Sequence, residues 1–206
     1  MRLCKEHFYT FALEAYDAVT AFHRAFELPI RGSWADSTKS GRLLRANLIE
    51  EEFNELVNSV DPVARLDAYC DLTYVLLGTF LELGYSSARL NEPNFHRLPP
   101  FAGNTATIIT NLKSPTPCFR RLSWALPDAT AAVIKEAWTF TAQFPEAFRA
   151  VHVSNMSKLW EEAPRNITDV IVKEVYKGKW LVKRKSDGKV LKPSTFVAPE
   201  LTPFIK

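Results

Sequence analysis

The stretch NLIEEEFNEL, residues 47–56, places Glu50, Glu51 and Glu52 side by side, with Glu55 just beyond them. In a helix, residues three and four apart share a face, so Glu52 projects with Glu55 and Glu51 neighbours Glu55. Further along, Asp67 and Asp71 share a face by the same spacing. Two antiparallel helices joined by a short turn would bring these two faces together. The converging carboxylates would then repel one another unless a cation neutralised them. Oxygen-only donors suit Mg²⁺ or Mn²⁺. A glutamate run on one helix is usually a solvated face. Asp71 argues against that here, because LTYVLLG follows it directly and a solvated face is not expected at the start of an apolar run.

The elements that must position these acids can be read from periodicity. Phe8, Phe11, Ala12, Ala15, Val19, Phe22 and Phe26 recur at helical spacing and predict a helix over 7–28 that Pro29 ends. RGSWADSTKSG reads as a polar loop, and a second helix is expected over 42–59. Asp61-Pro62 can open a third, over 62–84, because Pro suits the first helical position, and Gly84 suits its C-terminal cap. Residues 85–126 are rich in Pro, Asn, Ser and Thr and read as an extended connection with one short helix near 104–112. A helical pattern resumes over 127–159, interrupted or bent at Pro145. The tail alternates, and Ser186-Asp187-Gly188 reads as a hairpin turn. The expected fold is all-α, a helical bundle with a small C-terminal β-hairpin or extended arm. It is read as a single domain over 1–206, in which 1–84 and 127–160 form the helical core, 85–126 an inserted connection and 161–206 a basic arm.

Composition narrows the function classes. Hydrophobic residues make up 47% and charged residues 24%, as in a globular protein with a core. A net charge of +3 does not by itself imply nucleic-acid binding. Cys4, Cys70 and Cys118 form no CxxC pair, so neither a disulfide framework nor a cysteine zinc site is favoured, and a cytoplasmic location is expected. Acids within the first apolar stretch argue against a signal peptide, and no run is apolar enough to span a membrane.

The acidic pattern resembles the MazG-like all-α nucleoside triphosphate pyrophosphohydrolases, a superfamily that includes phosphoribosyl-ATP pyrophosphohydrolase and the dimeric dUTPases. Glu51-Glu52-Phe53-Asn54-Glu55 matches the EExxE half of its signature. The ExxD half departs from it: Ala68 stands where the Glu is expected, Asp67 lies one residue earlier, and Asp71 fits the final Asp. DAYCDLTYVLLGT, FHRAFELPI, VHVSNMSKL and DGKVLKPSTFVAPEL are similar to the phage-type branch. The resemblance implies a bundle that assembles as a homodimer or homotetramer and holds Mg²⁺ or Mn²⁺. The reaction would be hydrolysis of a nucleoside triphosphate to the monophosphate and pyrophosphate, in the host cytoplasm if the protein is phage-encoded. Carried over, Glu51, Glu52, Glu55 and Asp71 are the metal-binding and catalytic acids, with Asp67 a displaced further ligand. Glu51 is the preferred residue to orient water, and dGTP or another purine deoxynucleotide the preferred substrate.

Other residues carry two readings each. Ser154, Asn155 and Lys158 contact phosphate or base, or form a polar helix end. Lys173 to Lys192 holds eight Lys/Arg against two acids, with Lys189 and Lys192 in the family-like DGKVLK. It is a lid over a triphosphate or a solvated hairpin. Arg42 and Arg45, ahead of the glutamates, face phosphate or pair with acids. His23 and His152 sit among apolar residues as structural histidines, and Trp34 packs or stacks on a base. Two further functions stay open. One is a non-catalytic helical oligomer with a structural ion site; the other is nucleic-acid binding through the basic tail, which the acidic cluster disfavours.

Overall fold

The computed structural model describes residues 4–93, 97–165, 167–186 and 190–205. Among the described residues, six α-helices run in order: α1 Lys5–Ala25, α2 Lys39–Asn58, α3 Pro62–Glu82, α4 Phe101–Lys113, α5 Phe119–Phe140 and α6 Phe144–Met156. Strands β1 Val170–Glu174 and β2 Trp180–Arg184 follow.

Local chemistry sets the ends of α2 and α3. The Thr38 hydroxyl accepts the Gly41 N–H at 3.0 Å, which starts α2 inside the stretch expected to be loop. The Asp61 carboxylate accepts the Ala64 N–H at 2.8 Å, and Pro62 opens α3. Gly84 closes α3 with φ +73°, in a bonding pattern in which Tyr85 N–H reaches back to Phe80 O at 2.9 Å. A Cβ on Gly84 would lie 2.5 Å from the Ser33 nitrogen. Helix α1 ends the same way but on a non-glycine residue: Glu27 takes φ 52°, and Leu28 N–H bonds His23 O at 2.8 Å. The helix therefore stops at Ala25, ahead of Pro29, which was expected to end it.

In the segment 85–126, the short helix expected near 104–112 is α4, and the segment also carries the first part of α5, where extended chain was expected; the two helices pack on each other as a second hairpin. This hairpin lies against the first, α4 on α2 and α5 on α3, while α1 and α6 also pack on α3. Helix α5 runs through Pro127, which cannot donate to the Ser123 carbonyl. Arg89 Nη1 donates to that carbonyl instead, at 3.5 Å. The pattern expected over 127–159 is interrupted rather than bent: Thr141 breaks it in an extended conformation, and Pro145 lies in the first turn of α6.

Helix α3 is the central element. Leu66, Leu72, Leu76, Leu77 and Phe80 are fully buried within this one chain. Phe11 meets Trp138, Phe144 and Phe148 edge-to-face at 5.6, 5.4 and 5.6 Å. The apolar surface of α3 is thus covered by the chain's own α4–α5 hairpin, α1 and α6.

β1 and β2 form an antiparallel pair with Val172 opposite Val182. Their turn is at Tyr176–Gly178, where Lys177 and Gly178 both have positive φ. In the turn expected at Ser186-Asp187-Gly188, Asp187 and Gly188 lie outside the described residues, and beyond it Val190 bridges to Lys183. Leu181 joins the hairpin to Ala25, Phe26 and Leu159 in a small second core.

Candidate functional site

Successive helical residues turn by about 100°, so the three adjacent glutamates point in different directions. Glu50 accepts from Lys113 Nζ of α4 at 2.6 Å. Glu51 is exposed. Glu52 points inward, toward α3. There it lines a cavity of about 330 Å³ with Asp71, Tyr74, Asn155 and Lys158. Phe22, Leu28, Leu48 and Val75 supply apolar walls. Asp71 and Tyr74 are three apart on α3, and Asn155 and Lys158 three apart on α6, so each pair shares a face.

Burial and repulsion dominate the electrostatics. Burial, then the charges of Asp71, Glu55, Glu51 and Asp67, push the Glu52 carboxyl up to about 8. Burial and Asp67 push Asp71 up to about 7, with Lys158 opposing. Asp67 is raised by its own burial. Lys158 is lowered by burial, and the acids partly restore it. Its Nζ donates to Asn155 Oδ1 at 2.6 Å. Tyr74 Oη lies 3.0 Å from His152 Nδ1.

The five acids are thus within electrostatic reach, but only Glu52 and Asp71 line the cavity. Among the described residues, no three acidic, imidazole or thiol groups are close enough to form a metal cage. The convergence expected from spacing is incomplete, because Glu51 and Glu55 face water, which solvates their charge at no packing cost. The donor chemistry still fits a hard divalent cation: carboxylate oxygens under mutual repulsion, offset in the cavity by one ammonium.

The other expected site residues divide. Asn155 and Lys158 are in the cavity; Ser154 is buried on α6 and does not line it. Lys192 affects Lys158 electrostatically but sits 4.1 Å over the Phe196 ring. Lys189 lies outside the described residues. Arg42 turns back to Ser37 O at 3.2 Å. Arg45 is buried: it donates to Thr79 Oγ1 at 3.1 Å and to Val75 O, and lies 3.7 Å from Glu82. It reaches the cavity wall, but its hydrogen bonds are structural. His23 is structural as read, held by Pro29 O at 2.9 Å and lowered by burial to about 4. Trp34 stacks on Phe119 at 4.1 Å, so it packs. Tyr74 went unread, although its place one turn after Asp71 was the available signal. Replacing Arg45 by Met would leave the Glu82 carboxylate buried and unpaired. The expected loss is about 3–5 kcal/mol, read as a lower urea midpoint.

The bundle carries two half-buried carboxylates on consecutive helices, opposed by a lysine, an arrangement compatible with the all-α nucleotide pyrophosphohydrolases that the acidic pattern resembles. Residues 19–92, about a third of the chain, match the family model of phosphoribosyl-ATP pyrophosphohydrolase, a family of the MazG-like superfamily. The match contains both acidic helices and supports pyrophosphohydrolase chemistry on nucleotides as a class. No curated protein and no solved structure matches the chain. No helix among the described residues is long and apolar enough to cross a membrane.

Proposed function

We propose that the protein hydrolyses a (deoxy)nucleoside triphosphate to the monophosphate and pyrophosphate and so adjusts a nucleotide pool. The observation that carries this reading is the juxtaposition of Glu52 and Asp71 with Lys158 and Asn155 in one partly apolar cavity. A purine deoxynucleotide such as dGTP is the preferred substrate, on the resemblance to the phage-type branch. The dimer or dimer of dimers rests on that resemblance alone. Glu52 and Asp71, with Glu51, Glu55 and Asp67 reoriented, would hold Mg²⁺ or Mn²⁺. When bound, such an ion reverses the local charge and acidifies water. Lys158 takes phosphate oxygens, and Asn155 holds its ammonium in place. Phe22, Leu28, Leu48 and Val75 exclude water from the apolar end, which suits a base or sugar. Glu52, inside the cavity, is the glutamate placed to orient the attacking water and accept its proton; Glu51, preferred from the sequence, is exposed outside the cavity.

The basic tail favours this reading over nucleic-acid binding, because several of its cations have local partners. Lys173 pairs with Glu27 at 2.5 Å, Lys179 pairs with Glu161, and Lys183 donates to Phe26 O at 3.1 Å. A panel of canonical triphosphates incubated with Mg²⁺ or Mn²⁺ and followed by phosphorus NMR tests the proposal. Monophosphate and pyrophosphate are expected, with turnover abolished by chelator and restored by either ion. Orthophosphate with a diphosphate, or full turnover in excess chelator, would overturn it.

A further inference from the structure

A larger cavity, about 570 Å³, lies on a different face of α3 from Asp67 and Asp71. Arg65 and Tyr69 of α3 form one wall, and Ala132, Lys135, Glu136, Thr139 and Phe140 of α5 the other. Leu98, Pro99 and Pro100, leading into α4, close it. The spacing explains the faces: 65 and 69 are one turn apart on α3, and 132, 136 and 140 lie one above another on α5. The turn from Asp67 to Tyr69 is about 200°, which carries the two faces apart around the helix.

The lining is segregated by chemistry. Leu98, the two prolines, Ala132 and Phe140 make an apolar slot suited to a flat ring. Arg65 and Lys135 bring positive charge from opposite walls. Glu136 lies among them, its carboxyl raised by burial with Arg65 opposing, and Arg65 hydrogen-bonds Tyr69, whose side chain is buried. A ring next to an anion satisfies all three parts: the slot takes the ring, Glu136 accepts amino or imino hydrogens on its edge, and the two cations take phosphate oxygens. The volume is within the range of small-ligand sites, roughly 300–1,000 Å³.

We infer that the cleft between α3, α5 and residues 98–100 is a second binding site, for a nucleoside phosphate, separate from the carboxylate cavity. It uses none of the acids assigned to hydrolysis, so it stands or falls apart from the proposed activity. It offers the folded chain a way to sense a nucleotide that it does not hydrolyse.

Nucleoside monophosphates probe it without turnover. Isothermal titration with AMP, GMP, CMP and UMP, in chelator, is run on the wild type and on Asp71→Asn, Arg65→Glu and Lys135→Glu. Saturable binding of at least one is expected for the wild type and for Asp71→Asn. Each charge reversal is expected to weaken it about tenfold or more, with helical circular dichroism unchanged. Photolabelling of the wild type with 8-azido-AMP, followed by peptide mapping, locates the site without any variant. Label on α5 or on 98–100 supports the inference. No saturable binding by any of the four, or binding lost in Asp71→Asn with label on α2 or α6 peptides, would overturn it.

Discussion

Replacing Asp71 by Asn should lower turnover by about two to four orders of magnitude and at the same time raise the melting temperature. The loss follows from the position of Asp71, which shares its cavity with Glu52, Asn155 and Lys158 and is the acid best matched to a metal ligand. Removing a group that acts in the transition state has effects of this size. The gain follows from burial and from the repulsion that Asp67 and Glu55 exert on its charge. An amide of the same shape has no charge to desolvate or repel. A carboxylate kept for an ion pair would behave differently, since its loss would destabilise the fold. The opposed signs therefore separate a functional acid from a structural one. Steady-state rates and calorimetry on the same preparation decide the matter. An inactive variant that also melts earlier would mean that Lys158 and Asp71 are mainly a structural pair. A fully active variant would place the chemistry elsewhere.

The sequence made the α2–α3 hairpin legible because its boundaries are local. Asp61-Pro62 and Gly84 act through bonds to residues within a turn of themselves, and Glu52 and Asp71 are placed by helical spacing. What was not legible depends on partners far along the chain. Whether Arg45 faced phosphate or an acid was left open, and Glu82 on the next helix decides it. That only Glu52 of the three adjacent glutamates enters the cavity depends on α4 standing beside α2, where Lys113 takes Glu50. A helix near α4 was legible, but the start of α5 and its pairing with α4 were hidden for a similar reason. Pro127 reads as a helix start, and only the contact from Arg89 shows how α5 tolerates it. Composition rich in Pro, Asn, Ser and Thr then masked a hairpin whose burial is tertiary. The same hairpin covers the apolar surface of α3, a pairing between segments far apart in the chain that no local pattern signals.

The acids should also make stability without added metal fall as pH rises, the reverse of the usual response of ion-paired carboxylates. Glu52 is raised from its ordinary 4.5 to about 8, and Asp71 from 3.8 to about 7. Below the ordinary values, both groups are protonated whether the chain is folded or not. Between the ordinary and raised values, the folded chain keeps protons that the unfolded chain releases. Each added unit of pH then costs the folded state up to about 1.4 kcal/mol per group, less in practice because the site is open to solvent. Above about 8 both states are ionised and the loss is complete. The folded state therefore gives up stability from about pH 5 to about pH 8. Glu14, lowered chiefly by its hydrogen bonds from Arg149, acts in the opposite sense below that window. Mg²⁺ or Mn²⁺ binds the ionised carboxylates, so its stabilising effect should be small near pH 5 and grow toward pH 8. Asp71→Asn should remove part of both effects. Thermal melts across this range, with and without the ion, measure them; a chain that grows more stable from pH 5 to pH 8 in chelator, or gains equally from the ion at both ends, would show that Glu52 and Asp71 do not form a buried, repelling pair.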